Sequence, residues 1–203
     1  LPAEYNCRGK KVAVIGGGDT GSDCVGTAIR LGAREVCQLE IMPRPPETRA
    51  DSNPWPEWPR VFKTTSSHEE GCERLWNIET VEFLPAEDDP AHLGALSCRR
   101  VNLLEEGGRL LRPEPVAGSE LNRPVDLAFL AMGFSGVEEG PLLKTMEIVP
   151  DKHGQIKRDG SFSLGEELYA CGDAVSGPSL VVRAIADGLA LARVVLNNAG
   201  VSV

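Results

Sequence analysis

The chain has 203 residues, 41% of them hydrophobic, with 30 acidic against 21 basic side chains and a formal net charge of −9. That length and apolar content suffice for one large domain or two small ones with a buried core, which excludes global disorder. The acidic balance repels phosphate backbones and anionic headgroups, so no nucleic acid and no membrane surface is expected as a partner.

Lys11 to Ile15 (Lys-Val-Ala-Val-Ile) is a short β-branched run of the kind buried in a parallel sheet. A glycine-rich turn follows. Ser22 to Leu31 then carries Cys24, Val25, Ala28, Ile29 and Leu31 at helical spacing, until Gly32 stops the helix. Glu35 to Leu39 predicts a second strand ending at Glu40, which completes a β-α-β unit. From Pro43 to Pro59, six prolines with Trp55 and Trp58 among them predict a stiff, extended loop, long enough to suggest a functional role. Ile78 to Leu84 resumes strand character. Leu96 to Leu104 and Arg109 to Pro115 flank Glu105-Glu106-Gly107-Gly108, a hairpin with a glycine turn. Val125 to Ala131 predicts another buried strand, closed by Met132-Gly133. Ser135 to Gly160 is mixed, with a hairpin tip expected near His153-Gly154. Leu168 to Cys171 is a short strand running into Gly172-Asp173, and Ser179 to Asn197 is a long apolar helix ending before Gly200.

The turn Gly16-Gly17-Gly18-Asp19-Thr20-Gly21 fits G-x-G-x-x-G. That pattern alone is weak; its position between a strand and a helix, with an acid at the end of the next strand, gives it meaning. Gly16 permits the tight turn, Gly18 lets backbone approach a pyrophosphate, and Gly21 lets helix and strand pack closely. The helix N-terminus presents free N–H groups and partial positive charge to the phosphates. Glu40 lies nineteen residues after Gly21, where a carboxylate accepts hydrogen bonds from adenosine ribose hydroxyls. A carboxylate there repels a 2′-phosphate and favours NAD(H) over NADP(H), whereas Arg44 and Arg49 just beyond could grip one.

No membrane span and no basic-then-apolar leader is visible, which suits a cytoplasmic protein. The chain opens on Leu1 rather than Met, which reads as a fragment boundary. The six cysteines form no C-x-x-C pair and His68, His92 and His153 show no metal spacing, so reduced thiols and no metal site are expected. No side chain is needed as a catalytic nucleophile or base. His68 alone, within Ser66-Ser67-His68-Glu69-Glu70, is a candidate to lie near the nicotinamide.

The residues around the turn carry a resemblance. Gly16 to Gly21, Cys24, Gly26-Thr27, Arg30-x-Gly32-Ala33, Glu40 to Pro43, Pro45-Pro46, Asn53-Pro54-Trp55-Pro56-Glu57-Trp58-Pro59 and Ser66 to Gly71 look like the small (β) subunit of glutamate synthase. Ala131-Met132-Gly133-Phe134 and Tyr169-Ala170-Cys171-Gly172-Asp173 are similar too, so the match runs nearly end to end. The resemblance implies a nicotinamide domain inserted into a flavin domain, with NAD(P)H reducing FAD. Electrons would pass through iron–sulfur clusters, bound outside this chain, to a large subunit that makes glutamate from glutamine and 2-oxoglutarate. It implies that Met132 and Gly133 sit where chain leaves the nicotinamide domain. It implies that Asp173 of Gly172-Asp173 bonds a ribityl hydroxyl of FAD, and that the helix starting at Ser179 and Leu180 aims its N-terminus at the flavin ring. The family often shows Gly-Arg inside that helix, where this chain has Gly188-Leu189.

The expected fold is therefore α/β. A Rossmann-like three-layer dinucleotide-binding domain with a β-meander covers residues 8–134, and 135–203 form the C-terminal segment of a second, FAD-binding Rossmann-like domain. Only one glycine-rich turn is present, so the iron–sulfur domain and first flavin half of the same subunit would be absent, and this chain alone would not hold FAD tightly. The Trp55/Trp58 loop has two functional readings, flanking the adenine end or docking a neighbour, beside packing on its own domain. Alternatives for the whole are a related flavin/iron–sulfur oxidoreductase or a non-catalytic NAD(H)-binding module.

Overall fold

Residues 5–57, 59–103, 105–106, 109–110, 112–165 and 167–201 are described by a computed structural model. The chain divides into two compact units, one through Met132 and one from Gly133 onward.

The first unit begins with β1 (Lys11–Ile15), α1 (Asp19–Arg30) and β2 (Glu35–Glu40). After the proline-rich segment come α2 (Ser66–Glu69) and β3 (Glu73–Trp76). Next are β4 (Ile78–Pro85), β5 (Leu93–Asn102), β6 (Glu105–Glu106), β7 (Arg109–Leu110), β8 (Glu114–Pro115), β9 (Leu121–Pro124) and β10 (Leu127–Leu130). A parallel sheet has the order β10-β1-β2-β3. A second, antiparallel sheet pairs β4, β8 and β9 with β5.

Strand alternation decides the layers. Val12, Val14 and Val36 face one way and pack with Val25 and Ala28 of α1. Ala13, Ile15, Cys37 and Leu39 face the other way and pack with Ile78, Leu96 and Cys98 of the antiparallel sheet. Helix, parallel sheet and meander are thus three layers sharing two apolar seams. Each fully buried aliphatic side chain there contributes about 1.5–3 kcal/mol from apolar burial. The predicted β-α-β unit is present, with α1 starting three residues earlier than its apolar spacing alone suggested. The predicted hairpin pairs Glu105 with Leu110 and Glu106 with Arg109; its turn glycines, Gly107 and Gly108, lie outside the described residues.

The second unit holds α3 (Pro141–Thr145), the antiparallel pair β11 (Ser163–Gly165) and β12 (Leu168–Tyr169), α4 (Asp173–Ser176) and α5 (Val181–Asn198). The hairpin expected at His153-Gly154 is a carboxylate-stabilised turn instead. Asp151 accepts from the amides of His153 at 2.8 Å and Gln155 at 3.1 Å, and its own amide donates to the Gln155 carbonyl. Those bonds satisfy the backbone locally, and no described strand flanks the turn. The long helix begins two residues after Ser179, with Leu180 as its N-cap, and none of its residues is buried. No helix among the described residues is long and apolar enough to cross a membrane.

Candidate functional site

The glycine turn joins the C-terminal end of β1 to α1, at the sheet's carboxyl edge, where open α/β sheets bind ligands. Gly16 has φ +122°, and a Cβ there would stand 2.2 Å from the Ala131 carbonyl oxygen. The turn can therefore lie directly against the end of β10. A Cβ on Gly21 would stand 2.2 Å from the Gly16 carbonyl oxygen and 2.8 Å from Gln38 Nε2, so the first turn of α1 closes onto the glycine loop itself. Gly18 differs. A Cβ there would meet nothing within 4 Å, and Gly18, Asp19 and Thr20 are exposed. No side chain caps α1 at Gly18. The first helical turn thus offers backbone donors and the positive end of the helix dipole to open space.

Two side chains of β2 grip the peptide between Gly16 and Gly17. Gln38 Nε2 donates to the Gly16 carbonyl at 2.9 Å, and the Gly17 amide donates to Glu40 Oε2 at 2.5 Å. Residues 38 and 40 share one face of the strand, so both reach the same turn. Gln38 is almost fully buried and is itself held by His68 Nε2, 3.0 Å from its Oε1. Since Gln38 Oε1 only accepts, the His68 Nε2 carries the proton. His68 Nδ1 then accepts from Thr65, whose amide lies at 3.2 Å and Oγ1 at 3.0 Å. Thr65 Oγ1 is 2.6 Å from Ser22 Oγ on α1, which closes the network. Burial, and secondarily the positive Arg74, push the His68 pKa down, so the ring is neutral as this pattern requires.

The remaining predicted residues of this unit separate. The other Glu40 oxygen, Oε1, accepts from the Met42 amide at 2.9 Å. Arg44 lies over the Phe62 ring, 4.2 Å from its centroid, and pairs with Glu47. Arg49 donates to the carbonyls of Asn53 and Glu57, tying the proline-rich segment to itself around the buried Asn53. Trp55 is 83% exposed, while Trp58 lies outside the described residues. Met132 is exposed, and Gly133, the first residue of the second unit, has φ +95°. Sequence reasoning missed Gln38, whose signal was a lone polar residue within the buried run Val36-Cys37-Gln38-Leu39.

In the second unit, Gly172 has φ +70° and its amide donates to Asp187 Oδ2 of α5 at 2.6 Å. Arg158 donates to Asp187 Oδ1 at 2.8 Å and to the Ala170 carbonyl at 3.1 Å, and it stacks on Phe162. The Gly172 amide, then Arg158, hold the Asp187 carboxyl below the usual range. Asp173 is exposed and lines a 220 Å³ cleft with Phe134, His153 and Pro178. Ser179 and Leu180 are exposed just before α5. Among the described residues no three His, Cys, Asp or Glu side chains converge as a metal site, and all six cysteines are free thiols.

The sequence pattern of the pyridine nucleotide-disulphide oxidoreductases matches residues 2–188. The chain is 41% identical over 189 residues to the glutamate synthase [NADPH] small chain of Mycobacterium tuberculosis, covering 93% of this chain and 37% of that protein. It is 38% identical over 192 residues to the glutamate synthase [NADH] of Saccharomyces cerevisiae, covering 89% of this chain and 9% of that protein. The chain therefore spans little more than a third of the length of the bacterial relative. Its fold resembles that of M. tuberculosis FprA, solved in complex with NADPH, with a TM-score of 0.65 at 15% identity over 98% of this chain and 55% of FprA.

Proposed function

The chain belongs to the pyridine nucleotide-disulphide oxidoreductase family, and on that premise we propose that it is the electron-input portion of a glutamate synthase, the part that binds the nicotinamide dinucleotide. The observation that carries the reading is the turn at Gly16 to Gly21. Its buried side is fixed by β2 and β10, and its outer side at Gly18 is open and rich in donors. That is a cradle a pyrophosphate fits and a Cβ at Gly18 would obstruct.

When bound, the dinucleotide supplies hydride for the reduction of FAD, and the cofactors carry that redox chemistry. The chain's own residues bind and orient. Gly16, Gly17, Gly18, Asp19, Thr20 and Gly21 would hold the pyrophosphate, and Glu40 the adenosine ribose. Both Glu40 oxygens already accept one amide each, which fixes the carboxylate while leaving lone pairs for hydroxyl donors. The same charge disfavours a 2′-phosphate, and Arg49 is turned into its own loop, so we assign a preference for NADH over NADPH. Met132 and Gly133 would mark where the chain passes from the nicotinamide domain to the flavin domain.

For FAD the fit is partial. Gly172 and Asp173, with Ser179 and Leu180 ahead of α5, would supply one edge of a flavin site, with the Gly172 amide fixed by Asp187. A second glycine-rich turn for the FAD pyrophosphate is absent from the sequence. The rest of that site would come from another part of the same subunit, iron–sulfur clusters would lie outside this chain, and a large subunit would receive the electrons. The test compares the chain with Gly18→Val by NADH titration. The substitution points into open space and leaves folding intact, so selective loss of NADH binding supports the reading. Equal binding by both proteins sinks it.

A further inference from the structure

Glycines at 16 and 17 leave their shared peptide free to rotate, because neither residue has a Cβ to oppose a flip. In the flipped state the Gly16 carbonyl would turn from Gln38 toward Glu40 Oε2 and the Gly17 amide would leave that carboxylate, which would push Glu40 out of the position that the adenosine ribose needs. Something must hold the peptide, and the structure shows what does. Glu40 accepts from the Gly17 amide and Gln38 donates to the Gly16 carbonyl, and Gln38 in turn has its amide orientation fixed by the His68 Nε2–H. A protonated imidazole would place a second N–H against the Thr65 amide, which already donates to Nδ1.

We propose that His68 is a positioning residue for the dinucleotide: through Gln38, its neutral imidazole locks the Gly16–Gly17 peptide in the binding orientation, so that protonation of the ring weakens dinucleotide affinity. This deepens the dinucleotide reading above and rests on it. The groups around the ring suit the role. β3 presents Arg74, whose positive charge opposes protonation. β2 presents the uncharged Gln38, and α1 presents Ser22 through Thr65. Arg30 of α1 is engaged by Glu70, and Glu69 and Glu70 beside His68 are exposed. The ring sits on α2, in the segment joining the proline-rich loop to β3.

The experiment uses the 203-residue chain and NAD⁺, which withstands acid, in calorimetric titrations across the pH range below and above the ordinary histidine value of 6.5. The wild-type chain binds NAD⁺ more weakly as pH falls through the His68 titration. His68→Gln keeps a donor for Gln38 without a titrating ring; it binds near wild-type strength at neutral pH and loses that pH dependence. His68→Leu binds roughly tenfold more weakly, a loss of about 1.4 kcal/mol. Nitrogen NMR of the wild type keeps the test decisive should His68→Leu not fold. It shows the Nε2–H tautomer, and NAD⁺ lowers the pH at which His68 protonates. A His68 titration unmoved by NAD⁺, or an unchanged pH dependence in His68→Gln, overturns the proposal while leaving the site reading intact. Failure of the wild type to bind either NAD⁺ or NADH at neutral pH overturns both.

Discussion

Replacing Gly21 with alanine separates helix propensity from packing. In an open helix, alanine is favoured over glycine by about 0.5–1 kcal/mol. At Gly21 the new Cβ would stand 2.2 Å from the Gly16 carbonyl oxygen, when real Cβ contacts rarely fall below 3.0 Å. The turn must shift by nearly an ångström to accept it. Overpacking of that kind costs about 1–3 kcal/mol. Displacing the carbonyl from Gln38 Nε2 forfeits roughly another 1 kcal/mol, because the amide is buried. The balance is a destabilisation of about 1–3 kcal/mol, or roughly 2–12 °C in Tm for a chain of this size. Gly188, inside α5, is the matched control: its Cβ would meet nothing within 4 Å, so Gly188→Ala gains the helix propensity alone. Thermal unfolding by circular dichroism should show Gly21→Ala melting lower and Gly188→Ala at or above the parent. A Gly21→Ala protein as stable as the parent would refute the close packing of α1 on the turn.

Glu40→Ser removes the acceptor of the Gly17 and Met42 amides and the charge that opposes a 2′-phosphate; NADH affinity should fall about tenfold or more while the NADH-to-NADPH preference narrows, as read by parallel titrations. His68 gives a pH signature of stability. Its folded pKa is below 6.5, so the folded state binds fewer protons than the unfolded chain, and its contribution is complete above 6.5 and declines as pH falls below it. Denaturant midpoints between neutral and mildly acid pH should show this loss, and His68→Gln should show less of it. Asp187→Asn weakens the hold on the Gly172 amide and unpairs Arg158, so hydrogen exchange at Gly172 should quicken while amides in β1 stay unchanged.

The β-α-β unit was legible because its information is local: a β-branched run, glycines where the backbone needs them, and an apolar stripe at helical spacing. The strands β4, β5 and β10 were readable on the same grounds. β3 was not, because Glu-Arg-Leu-Trp at the sheet's edge lacks alternation, and its pairing with β2 is set by tertiary contact. Nor was β9, which contains Pro124 and pairs with β5 from a charged, turn-rich stretch. At the site, the glycines and Glu40 could be placed from spacing. The Gln38–His68–Thr65–Ser22 network could not, since its bonds join residues up to 43 positions apart in the chain. Arg49 illustrates the converse: its position beyond β2 suggested a phosphate ligand, yet the nearer carbonyls of its own loop take up the guanidinium.

The most direct test of the central claim is a titration of the wild-type chain and Gly18→Val with NADH, monitored by the change in nicotinamide fluorescence on binding. NADH should bind the wild type saturably and more tightly than NADPH, and that binding should be lost in a Gly18→Val protein that melts at the parent temperature. A wild-type chain that is folded yet binds neither dinucleotide would contradict that claim.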